Sequence, residues 1–189
     1  MLYYFVMYVT PGPNNAMVLT SGLKFGFQKT ITHILGITFG HIIQLIIVCF
    51  GLGQVFILFP DVQIVLKYIC AIYILYLGYK ILGSINPIID DGSRPLKLYE
   101  AALFQIVNPK AWTISSMAAS GFLQINDNLG IAILIIASTA LVICPLSITP
   151  WAMFGAAIRQ IVKNKKIKTI IEYSLAFFLL ITAILIVYN

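Results

Sequence analysis

Charge is what this sequence has least of. Only 10% of its 189 residues are Asp, Glu, Lys or Arg, and 6 are acidic. A soluble domain of this length needs far more polar surface than that. Nucleotide-binding GxxxxGK[ST] is absent, so the chain carries no ATP site of that kind. There is no HExxH, no GxSG elbow and no pair of mid-span aspartates, which argues against an intramembrane enzyme. Cys49, Cys70 and Cys144 lie singly in apolar runs without metal-type spacing and read as small buried hydrophobes. Neither a metal nor a cofactor is expected. The first ten residues lack a basic n-region and a small-residue cleavage site, so they do not read as a secretory signal. No loop is long enough to hold a soluble domain.

What fills the chain instead is apolar sequence: 60% of it is hydrophobic and the mean hydropathy is +0.98. Runs near bilayer-spanning length recur from end to end. Period-two alternation is missing, which disfavours a membrane β-barrel. The expected fold is an all-α polytopic membrane protein with a single transmembrane domain over 1–189. Six spans are predicted: Leu2–Leu23, Thr30–Phe59, Val62–Leu82, Leu98–Leu123, Leu129–Ala157 and Ile167–Tyr188. The second and fifth are long enough to require a tilt or kink, for which Pro145 and Pro150 give the fifth a cause.

The formal charge of +6 reads as membrane topology rather than as a nucleic-acid site. Lys24 and Lys29 follow the first span, Lys80, Arg94 and Lys97 the third, and Arg159, Lys163, Lys165, Lys166 and Lys168 the fifth. The alternate connections, around Pro60–Asp61 and Asn126–Asn128, carry no basic residue; Lys67 lies one turn into the third span. By the positive-inside rule both termini are non-cytoplasmic. Three spans per half make the halves run in opposite directions, the geometry of a 3+3 inverted-topology repeat. The halves are about 1–83 and 98–189, with a cytoplasmic linker at about 84–97.

Each half opens on a span interrupted near its centre. The first contains "TPGPNN", with Pro11, Gly12, Pro13, Asn14 and Asn15; the fourth contains "FQIVNPKAW", with Asn108, Pro109 and Lys110. Proline removes an amide donor and clashes with the carbonyl four residues back. In hydrocarbon such freed backbone must face protein or a water-filled cavity. Paired interruptions of this kind point to a transport site near the bilayer midplane. Freed carbonyls suit an ammonium, helix amides suit a carboxylate, and Asn14 and Asn15 can serve either. The expected partner is therefore a small zwitterion such as an amino acid.

Lys110 is costly at the bilayer centre, by roughly 2.5–3.5 kcal/mol. That suggests contact with a substrate carboxylate or a part in proton coupling. The alternative is an offset span with Lys110 snorkelling to an interface. His41, with Gln44 one turn on and His33 two turns earlier, is a second proton-coupling candidate. It competes with a neutral histidine bonded to a neighbouring helix. Glu100 and Glu172 read as interfacial partners of nearby lysines, and Trp151 as an anchor at the cytoplasmic interface.

"TPGPNN", "AIYILYLGYKIL" and "FQIVNPKAW", in this order over essentially the whole chain, resemble the LysE/RhtB amino-acid exporter family. The resemblance implies a bacterial inner-membrane exporter of amino acids or close derivatives, driven by the proton gradient. It carries the first-span motif onto Pro11, Gly12, Pro13 and Asn14, and the fourth-span motif onto Asn108, Pro109 and Lys110. Many members have Asp where this chain has His41 after Gly40, which leaves the coupling chemistry open. A proline usual near the end of the fourth span is missing from "SMAASGFL". Asn15 and "LFQIVN" are most similar to the cysteine/O-acetylserine branch. The leading expectation is proton-coupled antiport by alternating access; a channel or a non-transporting assembly factor is the alternative. A homo-oligomer is left open.

Overall fold

The computed structural model describes residues 2–52, 58, 60–82, 94–122, 128–161 and 165–188. No β-strand occurs among them. The linker up to residue 93, the fourth connection at 123–127 and Lys163 lie outside the described residues.

Helix α1 (Leu2–Val9) stops where Pro11 and Pro13 cannot donate to the carbonyls of Met7 and Val9. After Thr10, Pro11 and Gly12, α2 (Pro13–Phe25) starts on proline, which suits a first helical position because no amide is needed there. Gly26 adopts a φ of 85°, a left-handed turn natural to glycine, and α3 (Phe27–Ile47) follows at once. The second span is shorter as an α-helix than the sequence predicts. A π-helical turn, Val48–Leu52, replaces its continuation, and Gly51 at φ 104° leaves helical geometry altogether.

Next come α4 (Pro60–Ile81), α5 (Leu98–Val107) and α6 (Pro109–Phe122). The residue between the last two is Asn108, held extended ahead of proline. Helix α7 (Leu129–Ile161) continues through Pro145 and Pro150, and α8 (Lys165–Tyr188) closes the described chain. Among the described residues three helical stretches are long and apolar enough to cross a membrane: Phe27–Gly51, Leu129–Arg159 and Thr169–Tyr188. Ile64–Tyr79 and Leu98–Val107 are shorter apolar helices.

Between helices in lipid there is little hydrophobic drive, so close packing falls to small residues. α2 lies on α7 where Gly22 meets the Ala152 carbonyl and Gly155 meets the Leu19 carbonyl; a Cβ on either glycine would stand 2.2 Å from that oxygen. α3 lies equally close on α5, with Gly36 against Leu98 O and Gly40 against Ala102. These seams draw α2 and α5 into the interior, where each joins two apolar cores. One core holds Tyr4, Tyr8, Val18, Ile37, Ala101 and Ile148. The other holds Met17, Cys70, Ile74, Phe104 and Leu179. All three cysteines are buried and unbridged. The interrupted ends of α1–α2 and α5–α6 are thereby brought together, with Gly12, Pro13, Asn15 and Asn108 buried and Thr10 and Pro11 exposed.

Candidate functional site

Each interruption frees carbonyls, and neighbouring helices supply donors to them. At the first, Thr10 Oγ1 donates to Met7 O (3.0 Å). The Asn15 amide spreads its two hydrogens over Tyr8 O (2.9 Å), Val9 O (3.3 Å) and Thr10 O (2.7 Å). Trp151 Nε1, from α7, adds a bond to Val9 O (3.3 Å). The sequence assigns Trp151 to a membrane interface; the structure instead sets its indole against the broken end of α1. Asn15 is only 2% exposed, so its amide is committed to closing the helix.

At the second interruption Pro109 cannot donate to Gln105 O, and Gln44 Nε2 from α3 takes that role (3.0 Å). Trp112 Nε1 donates to Ile106 O (2.8 Å). Asn108 starts α6, its Oδ1 accepting from Lys110 N (3.1 Å). The two interruptions are also tied directly. Asn14 Nδ2 donates to Gln105 Oε1 (2.9 Å), and Gln105 Nε2 donates back to Asn14 Oδ1 (3.1 Å).

The second tie is ionic in character. Lys110 Nζ, from α6, donates to Thr10 O (2.6 Å), Thr10 Oγ1 (2.8 Å) and Pro11 O (3.2 Å). Lys110 therefore does not stand alone; it spans the two interruptions. The carbonyls that the sequence offers to a ligand's ammonium already have donors in this structure. In this structure a lysine ammonium and two side-chain N–H groups, those of Asn15 and Trp151, hold them.

A cavity of about 640 Å³ opens beside this junction. Pro11, Gly12, Pro13, Pro109 and Lys110 form one side. Lys67 and Ile64 of α4 and Thr113 of α6 extend it, and an α8 face with Phe178, Ile181, Thr182 and Leu185 closes the other side. The described lining holds two lysines and no carboxylate, so it favours an anionic group on an otherwise apolar solute. Asn14, Asn15 and Asn108 lie behind this surface. They line a second cavity of about 20 Å³ with Tyr8, His41 and Lys110, room for one water molecule.

His41 is 1% exposed and its Nε2 has no hydrogen-bond partner among the described residues. The Tyr8 ring meets its imidazole edge-on at 5.3 Å, and Tyr4 stacks on Tyr8 at 5.5 Å. His33 is likewise buried, remote from these two cavity linings. Glu100 caps α5 on the Lys97 amide (2.8 Å) and pairs with Arg94 rather than with a lysine; that ion pair raises the Arg94 pKa.

Among the residues that sequence reasoning missed, Thr113 and the α8 wall carry no motif, while Thr10 opens "TPGPNN" without being singled out. Lys67 does carry a signal, a cation inside an apolar span, although the charge pattern of the loops explains it equally well.

A helical membrane protein in which two interrupted helices converge on a cation-lined, apolar-walled cavity is built as a small-solute transport protein. The chain belongs to the LysE-type translocator family, whose sequence model matches residues 5–189. It is 26% identical over 169 residues to the leucine efflux protein of Enterobacter sp. (strain 638), covering 86% of this chain and 80% of that one. It is 28% identical over 141 residues to the cysteine/O-acetylserine efflux protein of Salmonella choleraesuis (strain SC-B67), covering 70% and 71%. The Escherichia coli (strain K12) protein of that description is 29% identical over 123 residues, covering 64% and 62%. No solved structure matches the chain. As a member of this family it is a transporter and not an enzyme. The bacterial efflux relatives and the apolar helices together indicate a multi-pass inner-membrane protein.

Proposed function

We propose that the protein exports small amino acids or close derivatives from the cytoplasm by alternating access, in exchange for protons. The observation that carries this reading is the cavity between the two interruptions. Its volume of about 640 Å³ lies in the range of small-molecule sites. Lys110 and Lys67 attract a carboxylate, and the α8 wall with Phe178, Ile181 and Leu185 receives an apolar side chain. Leucine, cysteine and O-acetylserine, the solutes named for the relatives, are the first candidates.

The helix pairing supports a 3+3 inverted repeat of six spans, with α1–α2 and α5–α6 as the broken first and fourth. Exchanging the halves pairs the contact of the first span with the fifth, made mainly by α2, with that of the fourth span with the second, made mainly by α5, and maps the α4–α8 pairing onto itself. Both contacts depend on glycines that bring backbones together, although they use opposite sides of the two interruptions. In this reading the interruptions sit near the bilayer midplane and both termini are non-cytoplasmic. The halves then rock about the Asn14–Gln105 and Lys110–Thr10 ties.

For coupling, His41 and Lys110 are the candidates. Both line the small cavity, where one water would join the unpartnered His41 Nε2 to the lysine's surroundings. One proton moving down a membrane potential contributes about 2.3 kcal/mol per 100 mV, to which a pH gradient adds. The test is flux of labelled leucine, cysteine and O-acetylserine in proteoliposomes, with and without an imposed pH gradient. Gradient-driven, saturable flux supports the proposal. Non-saturating flux indicates a channel, and no flux of any amino acid removes the export reading.

A further inference from the structure

We infer that Lys110 is a built-in occupant of the substrate's ammonium position, and that only solutes carrying their own carboxylate displace it. This rests on the export reading above and deepens it. Thr10 O, Thr10 Oγ1 and Pro11 O converge on Lys110 Nζ at 2.6, 2.8 and 3.2 Å. Three acceptors around one nitrogen match the three hydrogens of a primary ammonium, whether it ends a lysine or an amino acid.

Residue 12 is what admits the lysine. Gly12 is extended, with φ −179°, so its conformation does not call for glycine. Its value is space: a Cβ there would stand 2.7 Å from Lys110 Cδ and 3.2 Å from Nζ. The lysine stem lies where any side chain at 12 would lie, and its head fills the acceptors beyond.

The described cavity lining offers no carboxylate as another place for a solute's ammonium. The Thr113 and Thr182 hydroxyls donate to Pro109 O and Phe178 O; each offers an ammonium a single uncharged oxygen, not a cluster of three acceptors. The consequence is an exchange of like for like. A zwitterion presents its carboxylate to Lys110, the lysine swings to it, and the α-ammonium enters the vacated carbonyls. Donors and acceptors balance before and after. A simple amine must expel Lys110 without offering it a partner, and does so beside the second cation, Lys67. A simple carboxylate draws Lys110 away but puts no donor in its place, so Pro11 O loses its lysine bond and Thr10 O is left with Asn15. Lys110 is thus a specificity-determining residue that excludes amines while admitting amino acids.

The test compares ligands that stabilise purified wild-type protein with those that stabilise Lys110→Ala. Wild type responds to one or more amino acids but not to methylammonium or to the matching decarboxylated amine. Lys110→Ala reverses this. It binds those amines about tenfold to a hundredfold more tightly than wild type, as expected for a charge-assisted ammonium site, and it loses the amino acid. Should Lys110→Ala fold poorly, methylammonium in the buffer restores its folded yield, while sodium at the same ionic strength does not. Absence of any gain for amines overturns the inference while leaving export intact. If no amino acid binds wild type, the export reading fails first and this inference with it.

Discussion

Asn15 gives the most direct handle on how the first interruption is held together, through the substitution Asn15→Leu. Leucine keeps nearly the same volume and removes both N–H donors. Of the three carbonyls Asn15 serves, Thr10 O retains Lys110 at 2.6 Å and Val9 O retains Trp151 at 3.3 Å. Among the described residues Asn15 is the only side-chain donor to Tyr8 O, at 2.9 Å. One fully orphaned carbonyl costs about 1–3 kcal/mol, and weakening the other two adds about 1 kcal/mol, for a loss of roughly 2–4 kcal/mol. Asn15→Asp is the sharper control. It is isosteric, but its carboxylate oxygens face three carbonyls and cannot donate when ionised, so it should be worse than leucine. The assay is reversible unfolding in detergent, followed by tryptophan fluorescence, with circular dichroism to confirm helix content. An Asn15→Leu protein within about 0.5 kcal/mol of wild type, a typical surface-substitution effect, would refute this account of the interruption.

The second interruption makes a paired prediction: Gln44→Leu leaves Gln105 O with only the long Asn108 N–H bond (3.3 Å) and costs about 0.5–1.5 kcal/mol. Pro109→Ala returns a backbone amide to that carbonyl, so the Gln44→Leu penalty should shrink in the double variant; strictly additive losses would contradict the pairing. At the helix seams, Gly22→Ala or Gly155→Ala should cost about 1–3 kcal/mol by forcing α2 from α7, measured by the same unfolding assay. Gly121→Ala, with nothing within 4 Å of its Cβ, should be neutral; equal losses at all three would mean the seams are not the cause. Replacing Pro11 and Pro13 together with alanine should impair amino-acid binding more than folding, read by ligand-dependent thermal shift. Unchanged binding would detach the cavity from the interruption.

The interruptions themselves are legible in the sequence because proline's missing amide is a local fact, readable from residues 11, 13 and 109 alone. Lys110 stands out for the same reason, as a charge whose apolar surroundings are its sequence neighbours. What closes the freed carbonyls is not local. Gln44 reaches Gln105 across 61 positions and Trp151 reaches Val9 across 142, and an indole or amide in an apolar run does not announce its partner. The same holds for the cavity wall on α8, whose Phe178, Ile181 and Leu185 look like any lipid-facing residues until α4 and α6 are set opposite. Asn15 is a subtler case. Its position beside the prolines suggested a ligand contact, but an amide five to seven residues after the freed carbonyls is also well placed to cap them, and that is where its hydrogens go. The break in helical geometry at Gly51 is hidden in composition: nothing marks that residue as left-handed among the other glycines of the run.

Substrate counterflow with Lys110→Met tests the central claim most directly. Proteoliposomes loaded with unlabelled amino acid should accumulate the labelled form through wild-type protein. Lys110→Met, inserted at equal density and folded by circular dichroism, should show none. Counterflow through Lys110→Met at the wild-type rate would contradict a substrate site at the junction of the two interruptions.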